Sequence, residues 1–564
     1  MVNVTINGIS VNVPEDATVL AAAAQAGFAV PTLCHHPDQK VKENCKVCVV
    51  DINGELKNSC STKVTNGMVV RTFTPAVIEE QRKNVKNILK LHPQDCLNCI
   101  RNQNCELQDL SQNMMVRAFE HAPLNFPKDF STPSITREPS KCVQCGRCVE
   151  VCRDIQTVNA LEIVDGIIAT TGRKPLGETD CVLCGQCALA CPVGAITENE
   201  QINEFLAAVA DPDMIVVTQI APAVRVAIAE EVGVATGAFG MLEFVNALRQ
   251  IGLDYVFHTN FTADLTILEE GNELLKRLKE GGTLPMITSC SPGWINFAET
   301  FYPDQLDHLS SCKSPQQMFG ALVKTYWAEK MNVDPSKIYS VSIMPCTAKK
   351  FEAARSEMNA SGHQDVDLVL TTREVGRLFR MSGIDFTKLA SSQFDSLLGQ
   401  YTGAAVIFGA SGGVMEAALR TVYEVVTGKT LEDVNFTMVR GFDGMKEAEV
   451  DLDGTKVKVA VANSLGNARK IMDDIKAGTS PYHFIEVMCC PGGCIGGGGQ
   501  PIPSTIAKRM ERINAIYEED AGCPIRKSHE NAEVKKLYDD FLHEPLGHKS
   551  HELLHTHYHP RHHK

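Results

Sequence analysis

The chain has 564 residues, 22 of them cysteine, with 54 basic against 68 acidic side chains and a formal net charge of −14. That length makes roughly three to five domains at about 100–200 residues each, and a composition of 44% hydrophobic with 22% charged residues excludes wholesale disorder. No stretch reaches the roughly 18 uninterrupted apolar residues of a membrane span, the first residues lack the pattern of a secretory signal, and the acidic balance disfavours nucleic acid.

A cytoplasmic protein is therefore expected, and in that compartment dense cysteine signals metal rather than disulfides. Residues 2–13 alternate apolar and polar around Asn7-Gly8, a hairpin signal, and a helix is expected over 16–26. Cys34, Cys45, Cys48 and Cys60 follow. Four thiolates suit a 2Fe-2S cluster or zinc, since spacing alone does not choose the metal. A predicted helix over 78–91 leads into His92, Cys96, Cys99 and Cys105, where three thiolates leave a tetrahedral site one ligand short and His92 is the nearest upstream imidazole. Two runs come next: Cys142, Cys145, Cys148, Cys152, and Cys181, Cys184, Cys187, Cys191 before Pro192. Both have the spacing of two-cluster 4Fe-4S proteins, in which the fourth cysteine of each run serves the other cluster. One set is then Cys142, Cys145, Cys148 and Cys191, the other Cys181, Cys184, Cys187 and Cys152. Fifteen cysteines thus lie before about residue 200, in a region that reads as an electron wire.

Beyond it, strands are expected at 214–220, 255–258, 284–288, 338–343, 368–370, 404–408 and 484–487. They alternate with helices such as 264–279 and one opened by a Thr371…Glu374 capping box. The pattern is α/β with mainly parallel sheets. The segments carrying Cys290, Cys346, and Cys489, Cys490 and Cys494 fall just past strand ends, where such folds place ligands, so distant segments would meet in one crevice.

The motifs TSCSPGW (288–294), SSCKSPQQ (310–317), MPCTAKKFE (344–352), FGASGGVMEAALR (408–420) and EVMCCPGGCIGGGGQP (486–501) resemble those of iron-only hydrogenases, along nearly the whole chain. The N-terminal elements resemble a plant-type β-grasp 2Fe-2S ferredoxin. His92 with its three cysteines resembles the one-histidine 4Fe-4S site of hydrogenases and of a respiratory complex I subunit. The resemblance implies an α+β multidomain chain: a 2Fe-2S domain (1–77), a one-His/three-Cys 4Fe-4S domain (78–137), a two-4Fe-4S ferredoxin-like domain (138–203), a catalytic domain (204–545) and a His-rich tail (546–564). It also implies an H-cluster, a 4Fe-4S cubane bridged by cysteine to a diiron unit with CO, cyanide and dithiolate ligands. Matched by position, Cys346, Cys490 and Cys494 are cubane ligands and Cys494 the bridge. Met344 and Met488 pack on the diiron unit, Lys349 donates to a cyanide, and Gln316 and Phe408 line the pocket. The implied reaction is reversible reduction of protons to dihydrogen, with ferredoxin or flavodoxin as electron partner and maturation proteins supplying the diiron unit. The alternatives are a subunit of an electron-bifurcating or NADH-linked complex, or a non-catalytic iron–sulfur sensor or assembly protein.

One position departs from the family motif Thr-Ser-Cys-Cys-Pro: Ser291 stands where the fourth cubane ligand is expected. Cys290 then falls on the proton-relay position, and Ser291, Cys290, Cys312 and Cys489 all remain candidates for the missing ligand. Glu270 and Glu273, three residues apart on one helical face, together with Ser310 match the family's proton path. Ala223 replaces a serine that often contacts a cyanide. His551-Glu552-Leu553-Leu554-His555 spells a zinc-protease motif. With His557, His559, His562 and His563 it reads instead as a flexible or adventitiously metal-binding end, and Cys523 as a structural residue.

Overall fold

The computed structural model describes residues 1–237, 240–452, 454–561 and 563. Near the N-terminus, β1 (Val2–Ile6), β2 (Ile9–Val13), β3 (Val49–Ile52), β4 (Glu55–Asn58) and β5 (Val69–Arg71) form one sheet in the order β2-β1-β5-β3-β4. Asn7 and Gly8 both take positive φ, 49° and 87°, as a two-residue hairpin turn requires. Helix α1 (Val19–Gln25) is capped by Thr18, whose hydroxyl accepts the Ala21 amide at 3.2 Å. Helix α2 (Pro75–Leu91) starts with Pro75 in its first turn and buries Val77, Gln81, Val85 and Leu89, one face at a spacing of four. It ends at His92.

Two small antiparallel ladders, β6 (Ile135–Arg137) with β9 (Ile196–Glu198) and β7 (Leu161–Val164) with β8 (Ile167–Thr170), frame the paired cysteine runs.

The rest is built on two four-stranded sheets. The first, β11-β10-β13-β14 (Tyr255–His258, Ile215–Ile220, Ile338–Met344, Leu368–Thr371), is parallel throughout. The second, β12-β17-β16-β15 (Met286–Ile287, Phe484–Met488, Thr455–Asn463, Met445–Leu452), is parallel except for β15 against β16. Strands β13, β14 and β17 are almost entirely buried, as parallel strands covered by helices must be. The covering helices include α3 (Pro222–Glu231), α4 (Thr259–Glu280), α5 (Pro292–Phe301), α6 (Ala348–Ala353) and α7 (Thr372–Ser382). The Thr371–Glu374 capping box forms as expected.

Three expectations are corrected. Residues 404–408 form a short helix, Gly403–Val406, and a 3-10 turn, Ile407–Gly409, rather than a strand. A five-residue apolar run carries no period that separates a buried strand from a buried helix. The segment 284–288 pairs only over Met286–Ile287, since Pro285 has no amide to give a ladder. The tail does not hang free. Residues His548–Leu554 form α10, with Leu553 and Leu554 buried and His555 only 8% exposed. Lys313 N donates to Leu554 O and Thr556 N to Ser311 O, both at 2.8 Å, so the backbone itself fastens the tail. His562 lies outside the described residues.

Helices α8 (Gly413–Thr427) and α9 (Ile506–Gly522) are tied by a buried ionic network. Arg420, fully buried, pairs with Glu416 at 2.7 Å and Asp520 at 2.8 Å. Removing one partner of a buried pair strands the others' charge. Arg420→Ala is therefore expected to cost about 3–5 kcal/mol, read as a large drop in the unfolding midpoint; a midpoint equal to wild type contradicts it.

Candidate active site

All the described cysteines are free thiols, and half of them are buried. The Cys34 amide donates to Cys45 Sγ at 3.4 Å, and the Cys48 and Cys60 thiols hydrogen-bond each other. Cys142, Cys145, Cys148 and Cys191 line one cavity of about 370 Å³; Cys152, Cys181, Cys184 and Cys187 line another of about 440 Å³. The fourth cysteine of each run thus stands with the three of the other. Burial, followed by the charge of neighbouring thiolates, pushes Cys145 up to about 12, while burial lifts Cys142 and Cys152 to about 11. Thiols so placed give up their protons only to a cation that replaces them. In the His92 group, Cys99 lies close enough to Cys105 to raise its pKa, after burial, and Cys96 is exposed. His92 Nδ1 is buried without a hydrogen-bond partner, as a ligating nitrogen would be before its metal arrives.

A further cysteine-rich site sits where the carboxyl ends of the parallel strands of both sheets converge. Ala221 follows β10, Cys290 and Ser291 follow β12, Cys346 follows β13, and Cys489 and Cys490 follow β17. With Cys494 they surround a cavity enclosing about 800 Å³, lined further by Met344, Met488, Phe408, Gln316, Lys349 and Ala223. Cys290, Cys346 and Cys494 retain some accessible surface although deeply set, because that surface faces the cavity. Cys494 is raised to about 12 by burial, then by the nearby Cys490.

Cys184 lines both this cavity and the neighbouring four-cysteine one. The contact between the two regions requires glycine: a Cβ on Gly498 would lie 2.5 Å from the Cys184 carbonyl oxygen and 2.6 Å from Gly185 Cα. Gln156 Nε2 donates to Cys489 O at 3.0 Å and Gln186 Nε2 to Gly496 O at 2.8 Å, bolting the cysteine-rich region onto the catalytic loop.

Polar groups around the cavity are few and aimed. Lys349 Nζ donates to Glu352 at 2.8 Å and to the Cys290 carbonyl at 3.1 Å. Gln316 Nε2 donates to Glu352 at 3.0 Å, and its buried Oε1 has no partner. Ser291 Oγ accepts the Cys489 amide at 3.2 Å. Glu486, absent from the sequence reading, accepts the Gly412 and Met415 amides at 2.7 Å each at the start of α8. Its charge reaches both Cys290 and Cys494. Only its place at the head of EVMCC hinted at this.

The four candidates for the missing ligand separate. Ser291 and Cys290 both line the cavity. Cys489 lines it too, but its thiol hydrogen-bonds Cys184 and Cys490. Cys312 is not among the lining residues; its Sγ lies 3.9 Å from Glu273 Oε2. Cys523 is half-buried near Glu519 and Arg225 and is not among the residues that line the cavity.

Glu270, Glu273 and Ser310 do come together. Ser310 Oγ donates to Glu273 Oε2 at 2.9 Å and also hydrogen-bonds Glu270. Arg277 holds the outer carboxylate at 2.7 Å. Burial, with the charge of Glu273, pushes Glu270 up to about 8, so it is a neutral acid at pH 7. Between the ordinary value of 4.5 and about 8 the folded chain holds a proton here that the unfolded chain lacks. Stability from this group is therefore lost as pH rises through that window. Glu270→Gln, fixed in the neutral form, is expected to flatten that part of the thermal midpoint–pH curve, and an unchanged slope contradicts the assignment.

Residues 214–498 match the iron-only hydrogenase large subunit, C-terminal domain, and 506–561 the iron hydrogenase small subunit. Upstream, 1–75 match a 2Fe-2S iron–sulfur cluster binding domain, 81–118 the NADH-ubiquinone oxidoreductase-G iron–sulfur binding region, and 127–195 a 4Fe-4S dicluster domain. The chain is 45% identical to the NADP-reducing hydrogenase subunit HndD of Solidesulfovibrio fructosivorans over 99% of both chains. It is 39% identical to iron hydrogenase 1 of Clostridium pasteurianum, over 99% of this chain and 100% of that one. The solved HydA1 hydrogenase of Chlamydomonas reinhardtii aligns with a TM-score of 0.58 and 44% identity, covering 64% of this chain and 98% of that chain.

Proposed function

The chain belongs to the iron-only hydrogenase family, and from that premise we propose that it interconverts protons and dihydrogen at the 800 Å³ cavity, using electrons passed along the N-terminal cysteine groups. The observation that carries this reading is the meeting of Cys346, Cys490 and Cys494, drawn from loops after different sheets, beside a four-cysteine cavity. The donor set fits the H-cluster: soft thiols, an apolar wall including Met344, Met488 and Phe408, and two aimed polar groups, Lys349 Nζ and the unpaired Gln316 Oε1. When bound, that group supplies the redox chemistry that joins two electrons and two protons.

The chain's own residues do the rest. Cys346, Cys490, Cys494 and Ser291 would hold the cubane, and Cys494 would link it to the diiron unit. Lys349 orients an anionic ligand through a charge-assisted hydrogen bond, and the apolar wall excludes water. Protons enter at Glu273, pass by Ser310 to Glu270, and reach Cys290, whose nearness to both Glu270 and Cys494 supports this route. The four N-terminal cysteine groups, with His92, would hold a 2Fe-2S and three 4Fe-4S clusters that would supply the electron route, and Cys184 lies between the last of these groups and the catalytic cavity. The five proposed units are 1–77, 78–137, 138–203, 204–545 and 546–564.

Ferredoxin or flavodoxin in the cytoplasm is the electron partner in this reading. The 45% identity to a subunit of an NADP-reducing hydrogenase favours a second: work within a nucleotide-linked complex. Purification from native extract separates them, since co-eluting flavin subunits support the second and a lone chain the first. The central test is infrared spectroscopy with a dihydrogen assay on anaerobically matured protein. CO and cyanide stretches with gas evolution are expected; their joint absence from a matured sample overturns the reading.

A further inference from the structure

The docked tail places His555 against the solvent end of the Glu273–Ser310–Glu270 chain. Glu273, Cys312 and His555 are all buried, and one ligand atom from each lies within 4.8 Å of the others. Ser311 Oγ bridges them, 3.2 Å from Glu273 Oε2 and 2.8 Å from His555 Nδ1, so Nδ1 is the nitrogen turned toward the carboxylate. The opposite nitrogen, Nε2, lies 3.2 Å from Glu269 Oε2. Glu269 is itself fixed by the Tyr538 hydroxyl at 2.6 Å and the Leu546 amide at 2.8 Å. A carboxylate behind a histidine is the arrangement that sets the ring's tautomer and orientation in metal sites. The backbone bridge between Cys312 and His555 holds two of the three donors in place.

We propose that Cys312, Glu273 and His555 form a zinc(II) site that closes the proton path from outside. One sulfur, one imidazole and one carboxylate match zinc's donors and disfavour the hard, all-oxygen cations magnesium and calcium. Tetrahedral bonds of about 2.3 Å to sulfur and about 2.1 Å to oxygen set those two atoms about 3.6 Å apart. The present Cys312 Sγ–Glu273 Oε2 distance is 3.9 Å, so that pair closes with a shift of a few tenths of an ångström, and the His555 nitrogen, within 4.8 Å of both, turns in to complete the set. Three protein ligands leave a fourth position for water. Binding releases the Cys312 thiol proton to solvent and forms the zinc–thiolate bond, with no change of oxidation state. The metal also occupies the Glu273 oxygen that accepts from Ser310. That blocking effect rests on the proton path proposed above, whereas the site itself does not.

The test uses cluster-loaded holoenzyme, freed of adventitious metal by a chelator and equilibrated with zinc chloride. Metal analysis is expected to show one more tightly held zinc per chain in wild type than in Cys312→Ala or His555→Gln. Zinc-edge X-ray absorption should show one sulfur among nitrogen and oxygen neighbours. Glu269→Gln, which leaves the three ligands, is expected to weaken zinc about 10- to 100-fold. Dihydrogen evolution by wild type should fall at least 10-fold with zinc and recover with chelator, each variant being compared with its own zinc-free rate. Equal zinc in wild type and both variants, or a four-sulfur zinc signal, overturns the site. One zinc bound with an unchanged rate overturns the blocking role and counts against the path through Glu273.

Discussion

Cys290→Ala is expected to slow dihydrogen evolution by about 10²- to 10⁴-fold, the loss that follows removal of a positioned proton donor, while the cubane's electron paramagnetic resonance signal persists. The reasoning starts from the split between neighbouring residues. Cys290 couples to Glu270 and Cys494, and its carbonyl is held by Lys349; Ser291 instead faces the Cys489 amide. A thiol between a neutral buried acid and the bridging cysteine is placed to hand a proton inward. Burial holds Cys290 well above an ordinary thiol, so it rests protonated and can donate. Loss of the cubane signal in the alanine variant would instead make Cys290 a ligand and leave the relay without its last member. Cys290→Asp, which restores a titratable group, should recover part of the rate and shift its pH profile; a merely structural role predicts neither.

How much of this was legible in the sequence follows from how local each feature is. The thiol runs at 142–152 and 181–191 declare themselves through spacing, and even their crossed partnership follows from a known pattern. The Thr371–Glu374 box and the Asn7-Gly8 turn are likewise decided within a few residues. The cavity at the sheet ends was foreseeable because carboxyl ends of parallel strands collect their following loops in one place. What escaped depends on contacts between distant segments. Glu486 looks like an ordinary strand residue until the start of α8 is brought onto it. His555 looks like part of a polar tail until Leu554 and Thr556 pair with residues more than two hundred positions away. Residues 404–408 take helix because their environment, not their own pattern, selects it: Thr402 before them is anchored to Asp264 by its amide at 3.0 Å and its hydroxyl at 2.7 Å. Cys312 shows the same limit from the other side: its motif position left it a candidate for the missing ligand, whereas its thiol lies beside Glu273.

Ser291→Cys is expected to raise the reduction potential of the cubane by tens of millivolts, a tenfold change in a one-electron equilibrium being about 59 mV. Oxygen is a harder donor than thiolate and favours the more oxidised iron, so as a ligand the native serine would hold the potential low and a thiolate would relax it. Room for the substitution exists, because Ser291 borders the cavity at the N-terminus of α5. The cost is loss of the hydrogen bond from the Cys489 amide, about 1 kcal/mol or less once a sulfur takes the oxygen's place. Ser291→Ala provides the contrast. With no donor at all, the cubane keeps Cys346, Cys490 and Cys494 alone and should lose iron on purification, seen as a three-iron signal. A redox titration in which Ser291→Cys and Ser291→Ala both match wild type would remove Ser291 from the ligand set. The ligand would then be Cys489, whose thiol hydrogen-bonds Cys184 and Cys490. A low-potential cubane is what proton reduction demands of the final electron donor, which gives the serine a chemical reason to occupy a position that otherwise looks one thiolate short.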